Sequence, residues 1–328
     1  MPQIYVHPFY SMSAHPTEHR TFQNIQELPD HCDMIAAAYF HRNVEQITPE
    51  LEILSRKTQN LLVYLEEFNN ADLFDVLADP RWQHCKFFYN MVPTHAPLNH
   101  QTVISWTCSG HNVYADQWAQ ILLSRLNKGT NPYKKRFDCL LGRQRPHRDF
   151  VEQCYNQSQF QDQIIFTYYK QDQNIAQGLW AEDIDSYDIS PQIVIPVDIY
   201  NQSYYSIIAE TDANYSNFSF YTEKTAKPIV AKRLFVFFAS KNYLKNLRKL
   251  GFQTFDSVID ESYDQIDDDV ERWTQAWAQV EELCKRDVQQ VLDQIQAIVQ
   301  HNYDHYMRTD WRAGVKQEFE KLRNVVNK

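Results

Sequence analysis

The chain has 328 residues, 43% of them hydrophobic, and a net charge of −10, so it can bury a large core but argues against a general nucleic-acid-binding surface. It has only six glycines, with neither GxGxxG nor GxxxxGKS/T, which argues against a glycine-rich phosphate loop as the main device. Six scattered cysteines (32, 85, 108, 139, 154 and 284) form no CxxC pair, which points to reduced thiols in a cytoplasmic setting; no leader and no membrane span are expected from the N-terminus and the apolar runs.

Gln3–Val6 reads as a short strand, and Met34–Phe40 fits a strand or a helix end. Thr48-Pro49-Glu50 predicts a helix start, with Thr48 as N-cap and Pro49 at the first helical position. Leu61–Leu65 is a buried strand ending at Glu66-Glu67-Phe68. Asp72–Leu77 fits a short helix, Lys86–Tyr89 and Val103–Trp106 fit strands, and Asp116–Leu126 fits an amphipathic helix. Such alternation marks an α/β layered domain. Asn127–Pro132 carries both Gly and Pro and reads as a linker, so 1–130 is expected as one α/β domain and 131–268 as a second.

In the second half, Arg136–Leu141 reads as a strand, followed by a loop and a helix from about Asp149 to Cys154. Gln163–Tyr169 and Ser206–Thr211 are further strands, and Ile193–Val197 is another, weakened by Pro196. Leu234–Phe238 is an apolar run. From Asp269 to Lys328 the pattern is helical, with an interruption near 308–314 that predicts two helices. Val270, Trp273, Trp277, Val280, Leu283 and Cys284, continued by Val288, Val291, Leu292, Ile295 and Ile298, form one apolar stripe there. Core packing is the plain reading of that stripe, and a homodimer through these helices is the sharper one.

Two constellations carry chemistry. The first is Phe220–Ile229, which opens a basic island: Lys224–Lys249 holds eight Lys or Arg and no acid. A strand that delivers Glu223 and Lys224 to a helix start offers free N–H groups, a helix dipole and a lysine to phosphate, and a carboxylate to ribose hydroxyls. Thr222 as a plain N-cap, with solvated first-turn residues after it, is the alternative. The second constellation is the strand-end loop with Arg143, Arg145, His147 and Arg148, whose guanidinium groups suit bidentate phosphate contacts. An ordinary solvated basic loop is its alternative.

Ile208-Ala209-Glu210-Thr211, Phe220-Tyr221-Thr222-Glu223-Lys224-Thr225-Ala226-Lys227-Pro228-Ile229, Leu247–Phe255 and Asp260–Asp264 follow one another in an order that resembles a group of bacterial and phage glycosyltransferase-like proteins. The C-terminal half of that group is similar to the nucleotide-sugar domain of the α-1,3-fucosyltransferases, with a Tyr/Phe-x-Thr-Glu-Lys core. Leu140–Arg148 resembles the arginine-rich loop of the same group. The resemblance covers about 130–265 and implies a GT-B fold, two Rossmann-like domains facing across a cleft, here with C-terminal helices. It also implies a nucleotide-sugar donor as co-substrate and no other cofactor. Glu223 would hold the ribose, and Lys224 with an arginine of the 143–148 loop would hold the diphosphate. Glu210 would lie near the same cleft, with His147, Tyr221, Thr222 and Lys227 also at the donor site. The fucosyltransferase motif continues with Leu-Trp-Asn where this chain has Thr225-Ala226-Lys227-Pro228, so donor identity is not carried over.

An inverting transferase needs a base for the acceptor hydroxyl. Glu66 and Glu67, at the end of the strongest strand in the first half, are the candidates, set against the commoner alternative of surface acids. His95, His100 and His111 could serve as a base or an acceptor contact, but their spacing does not suggest a metal site. Asp183-Ile184-Asp185 matches a metal-chelating DxD pattern but sits in an acidic polar stretch and reads as solvated loop. A transferase without a metal, acting on a hydroxyl acceptor, is therefore expected. The alternatives are a non-catalytic nucleotide- or glycan-binding protein, or an interaction protein that uses its aromatic surface and C-terminal helices.

Overall fold

The computed structural model describes residues 3–7, 20–40, 44–66, 79–82, 84–89, 91–93, 101–102, 123–126, 134–168, 195–211, 213 and 218–311, with 313, 317, 320, 321 and 324 beyond them. They belong to two units, one of 1–105 with 310–328 and one of 106–309. The expected elements at Asp72–Leu77 and Val103–Trp106, and most of Asp116–Leu126, lie outside the described residues.

The first unit is built on a parallel sheet of β1 (Ile4–Val6), β2 (Arg20–Thr21), β3 (Met34–Phe40), β4 (Leu61–Glu66), β5 (Cys85–Tyr89) and β6 (Gln101–Thr102), in the order β2-β1-β3-β4-β5-β6. The ambiguous run at Met34 is thus a strand. Met34–Tyr39 and Leu61–Val63 are buried throughout, because central strands of a parallel sheet are covered on both faces and read as continuous apolar runs. Helix α1 (Val44–Lys57) starts four residues before the expected cap at Thr48, with Pro49 inside it. The physical reason is the stripe Ile47, Leu51 and Leu54, all fully buried: Ile47 lies before Pro49, and burying it carries the helix back past the proline.

The second unit has β7 (Lys135–Leu141), β8 (Ile164–Tyr168), β9 (Ser203–Ala209) and β10 (Phe235–Phe238), all parallel, in the order β10-β9-β7-β8. In both sheets the first strand has the second on one side and the third on the other, so the chain reverses direction across the sheet at that point. The architecture is α/β with parallel sheets, compatible with Rossmann-like units.

Three expectations in this unit need correction. Ile193–Val197 is not a strand in its described part: Pro196 caps helix α3 (Val197–Gln202), and its carbonyl accepts from the Tyr200 N–H at 2.9 Å. Proline cannot donate to a sheet ladder but suits a helix start. Helix α2 spans Pro146–Gln157, starting earlier than Asp149 because Pro146 occupies its first turn. The C-terminal helices are α6 (Asp269–Lys285) and α7 (Val288–Arg308); α7 ends where the interruption near 308–314 is expected, but a further break falls at Arg286-Asp287. Asp268 and Asp287 cap them, accepting from the Glu271 and Gln290 N–H groups, both at 2.8 Å.

Helix α4 (Glu223–Val230) follows Thr222, and α5 (Tyr243–Lys249) follows β10. The apolar stripe of α6 and α7 packs inward: Trp273, Trp277, Val280, Leu283, Val291 and Ile295 are buried, each worth roughly 1.5–3 kcal/mol. Helix α6 lies on α2 and β10, and α7 on α4, so the two helices brace those that leave the carboxyl edge of the sheet. Core packing, the plain reading, accounts for these six, while Val270 of the same stripe is 55% exposed.

Helix α5 ends in a Schellman turn, with Gly251 N–H bonded to Arg248 O (2.9 Å) and Phe252 N–H to Leu247 O (3.3 Å). Gly251 has φ +94°, and a Cβ there would stand 2.6 Å from His305 Nε2, which is held by Leu250 O at 2.7 Å. Gly251→Ala is expected to cost about 2 kcal/mol from backbone strain, and more from displacing His305. Thermal unfolding should show a fall of several degrees, and an unchanged midpoint would contradict it.

Candidate functional site

Strands β7 and β9 are neighbours, with Cys139 opposite Ile207, and β8 and β10 flank them on opposite sides. Their carboxyl ends therefore meet at the reversal point of the sheet, where open α/β sheets place ligands. The loop from Gly142 leaves β7 there, and Glu210 leaves β9 there.

Pro146 starts α2 directly after Arg145, which has extended backbone and makes no side-chain cap. This turns His147 and Arg148 inward, and both are buried. The Glu210 carbonyl accepts from His147 Nε2 at 2.8 Å and from Arg148 Nη2 at 2.9 Å. Arg148 Nη1 donates to the Arg143 carbonyl at 2.6 Å, and its Nε is buried with no partner. Among the described residues Arg148 forms no ion pair. Burial pushes its pKa down, with Glu210 acting against that. Burial also pushes His147 down to about 3, so the ring is neutral with its proton on Nε2.

The Glu210 side chain is fully buried and faces the other way. Its Oε1 accepts from Thr222 N–H (3.1 Å), Thr225 Oγ1 (2.5 Å) and Tyr243 Oη (2.8 Å). Its Oε2 accepts from Thr222 Oγ1 (2.7 Å) and Thr211 N–H (2.9 Å). Five donors leave the carboxylate no capacity for a ligand. Glu210 is thus a strut, joining the arginine loop through its main chain and the α4 cap through its side chain.

Thr222 is the N-cap of α4, which is the alternative reading of this helix start. Its Oγ1 accepts from Lys224 N–H at 3.3 Å, and its carbonyl takes Thr225 N–H (3.1 Å) and Ala226 N–H (3.2 Å). These N–H groups, expected to be free for phosphate, are therefore occupied by the cap. What α4 offers instead is side chains. Lys224 Nζ bonds Glu223 Oε1 at 2.7 Å, Thr211 Oγ1 at 3.1 Å and Thr222 Oγ1 at 3.4 Å. Burial opposes the Lys224 charge, but Glu223 and Glu210 outweigh it and hold the pKa above its ordinary value. Glu223 is likewise opposed by burial and held below its usual range by Lys224 and Lys227. Lys227 is buried, which pushes its pKa down to about 8, with Glu223 working the other way.

The inner cluster holds three cationic groups (Arg148, Lys224, Lys227) against two carboxylates (Glu210, Glu223). Arg143 and Arg145 add positive charge at its outer edge. Such a surplus suits an anion with several acceptor oxygens.

The structure brings together Arg145, His147, Arg148, Glu210, Thr222, Glu223, Lys224 and Lys227. Arg143 contributes its carbonyl, and its side chain is exposed. Tyr221 is committed to the core: it is fully buried and its hydroxyl donates to the Tyr243 carbonyl at 2.6 Å. The rest of the basic island disperses. Arg233 pairs with buried Asp138, Lys232 sits 4.2 Å over the Tyr303 ring, Lys241 pairs with Asp267 and Arg248 with Glu261. Thr211, Thr225 and Tyr243 were not expected at the site; Thr225, three residues after the N-cap, was the one available signal.

Glu66 ends β4, but its side chain, Glu67, the three histidines at 95, 100 and 111, and Asp183 with Asp185 lie outside the described residues. Among the described residues no three His, Cys, Asp or Glu side chains cluster as a metal site requires, and no helix is long and apolar enough to cross a membrane. Comparison with protein-family models, curated proteins and solved structures found no match.

Proposed function

We propose that the chain is a metal-independent glycosyltransferase of the GT-B kind, with a nucleotide-diphosphate-sugar donor bound by its second unit. The observation that carries this reading is Arg148: a buried guanidinium with one N–H unpartnered and no ion pair among the described residues, set beside Lys224 and Lys227 at the sheet's reversal point. Buried cations held by carbonyls alone are costly, and a phosphate is the partner that offsets that cost. On this reading the diphosphate draws Lys224 from Glu223, whose carboxylate then accepts from ribose hydroxyls. Fixed cations also stabilise the charge that develops on the departing nucleotide. Glu66 or Glu67 is proposed as the base for the acceptor hydroxyl.

Calorimetric titration with UDP, GDP, ADP and dTDP sugars tests the donor site. Lys224→Ala is expected to weaken the best ligand about 10- to 100-fold, the loss of one or two charge-assisted hydrogen bonds. Affinity should also fall as pH rises through about 8, because Lys227 is cationic below that value and neutral above it. Binding by no nucleotide sugar, or identical affinity in Lys224→Ala, would contradict the proposal. A donor-hydrolysis assay separates a transferase from a binding protein.

A further inference from the structure

Helix α4 carries both lysines of the site, yet its first turn lacks one of its own backbone bonds. Pro228 lies inside the helix and has no N–H, so the Lys224 carbonyl does not receive the bond that residue 228 would give. The Thr222 cap reaches Lys224 N–H at 3.3 Å, a long bond. A closer hold comes from Thr225, which directly follows Lys224 and is fully buried. Its Oγ1 lies 2.5 Å from Glu210 Oε1 and 2.7 Å from Tyr243 Oη, and Tyr243 Oη lies 2.8 Å from the same carboxylate oxygen. The three oxygens form a closed triangle. Whichever hydroxyl turns its proton to the other, the second still donates to Glu210.

Tyr243 is the fixed corner of that triangle. It opens α5, whose first N–H groups are taken by Asp264: Asn242 N–H donates to the Asp264 carbonyl at 2.8 Å, and Leu244 and Lys245 N–H donate to its carboxylate at 2.9 and 3.0 Å. The Tyr243 ring is buried against Phe237 of β10 and against Tyr221, with centroids 4.7 and 4.5 Å apart. We infer that Tyr243 is a positioning residue of the donor site. Its hydroxyl, acting through Thr225, fixes the first turn of α4 and so sets where Lys224 points, while its own oxygen stays inside the triangle and off the ligand. Rigid partners behind a binding residue hold it in productive geometry in this way. The arginine loop hangs on the Glu210 carbonyl and is held independently of this hydroxyl. The inference rests on the donor-site reading proposed above.

Tyr243→Phe keeps the ring and deletes only the hydroxyl. Calorimetric titration of the full chain, below the melting transition of each variant, should show the best nucleotide sugar bound about three- to tenfold more weakly, the worth of one neutral hydrogen bond. In a Lys224→Ala background the same change should cost less than about twofold, because the side chain it aims is gone. Thr225→Ser should bind like wild type, and Thr225→Val like Tyr243→Phe. A hydroxyl that serves stability alone would lower the melting temperature and leave affinity as it was, or would weaken binding equally in both backgrounds. Either result overturns the inference. Inorganic pyrophosphate is titrated beside the nucleotide sugars. Wild type that binds pyrophosphate but no nucleotide sugar overturns the donor reading alone, and the same variants then judge Tyr243 on pyrophosphate. Wild type that binds a nucleotide sugar, with unchanged affinity in Tyr243→Phe, overturns this inference alone. Binding of neither overturns both.

Discussion

Arg233→Ala lowers the unfolding free energy by about 3–5 kcal/mol, the cost of stranding a buried charge. Asp138, on β7 opposite Ser206 of β9, is buried, and Arg233 Nη2 lies 2.7 Å from its Oδ1. Ser203 and Ser206 hydroxyls donate to the same oxygen, each at 3.1 Å. The guanidinium also donates to the carbonyls of Tyr200 (3.1 Å), Ser203 (3.0 Å) and Tyr205 (3.0 Å), so it ties α3 to the start of β9. Removing it leaves an unpaired carboxylate and three carbonyls without their donor. A stability of roughly 5–15 kcal/mol is typical, so the loss is a large share of the total. Chemical denaturation is the direct measurement. The double variant Arg233→Met with Asp138→Leu should be more stable than Arg233→Ala, because an apolar pair strands no charge. A loss under 1 kcal/mol in Arg233→Ala would contradict the account.

Glu210→Ala carries the second large effect, on stability and on the site together. It deprives Thr222 N–H, Thr211 N–H and the hydroxyls of Thr222, Thr225 and Tyr243 of one acceptor. Each buried unsatisfied donor costs about 1–3 kcal/mol, and partial rearrangement leaves an expected loss of about 3–5 kcal/mol. Glu210→Gln is not a gentle change, because its amide nitrogen would face two or three donors. Both variants should melt earlier and lose nucleotide binding. Lys224→Ala should weaken binding with little effect on melting, since Lys224 is partly exposed. If Glu210→Ala instead melts like wild type and loses only binding, Glu210 acts on ligand rather than as a strut.

Much of the α/β layering was readable from runs of one residue class. Leu61–Leu65 is apolar enough for a buried strand and is one; Arg136–Leu141 reads as a strand despite Arg136 and Asp138 and is one; Leu234–Phe238 reads only as an apolar run, and Phe235–Phe238 is a strand. Boundaries were misread where proline carried two meanings. Pro49 reads as a start and lies within α1, Pro146 reads as loop and starts α2, and Pro196 sits in an apolar run and caps α3. At the site, the sequence placed Thr222 as a cap and put Lys224 beside Glu223, because those relations are local. It could not separate Lys224 and Lys227 from Lys241 and Arg248, which looked like one island. Their partners, Asp267 and Glu261, are 26 and 13 residues away. Nor could it show that Glu210 is saturated, because Thr222, Thr225 and Tyr243 reach it only once the sheet edge has formed.

The two ends of Glu210 have unequal fates under mutation. Its carbonyl, which anchors His147 and Arg148, is present whatever side chain position 210 carries. Its carboxylate, which holds the α4 cap, can be deleted by one codon change. The arginine loop is therefore moored to something heritable variation at that position cannot erase, while the lysine-bearing helix opposite is moored to something it can. A substitution at position 210 would leave the first half of the site its anchor and release the second half.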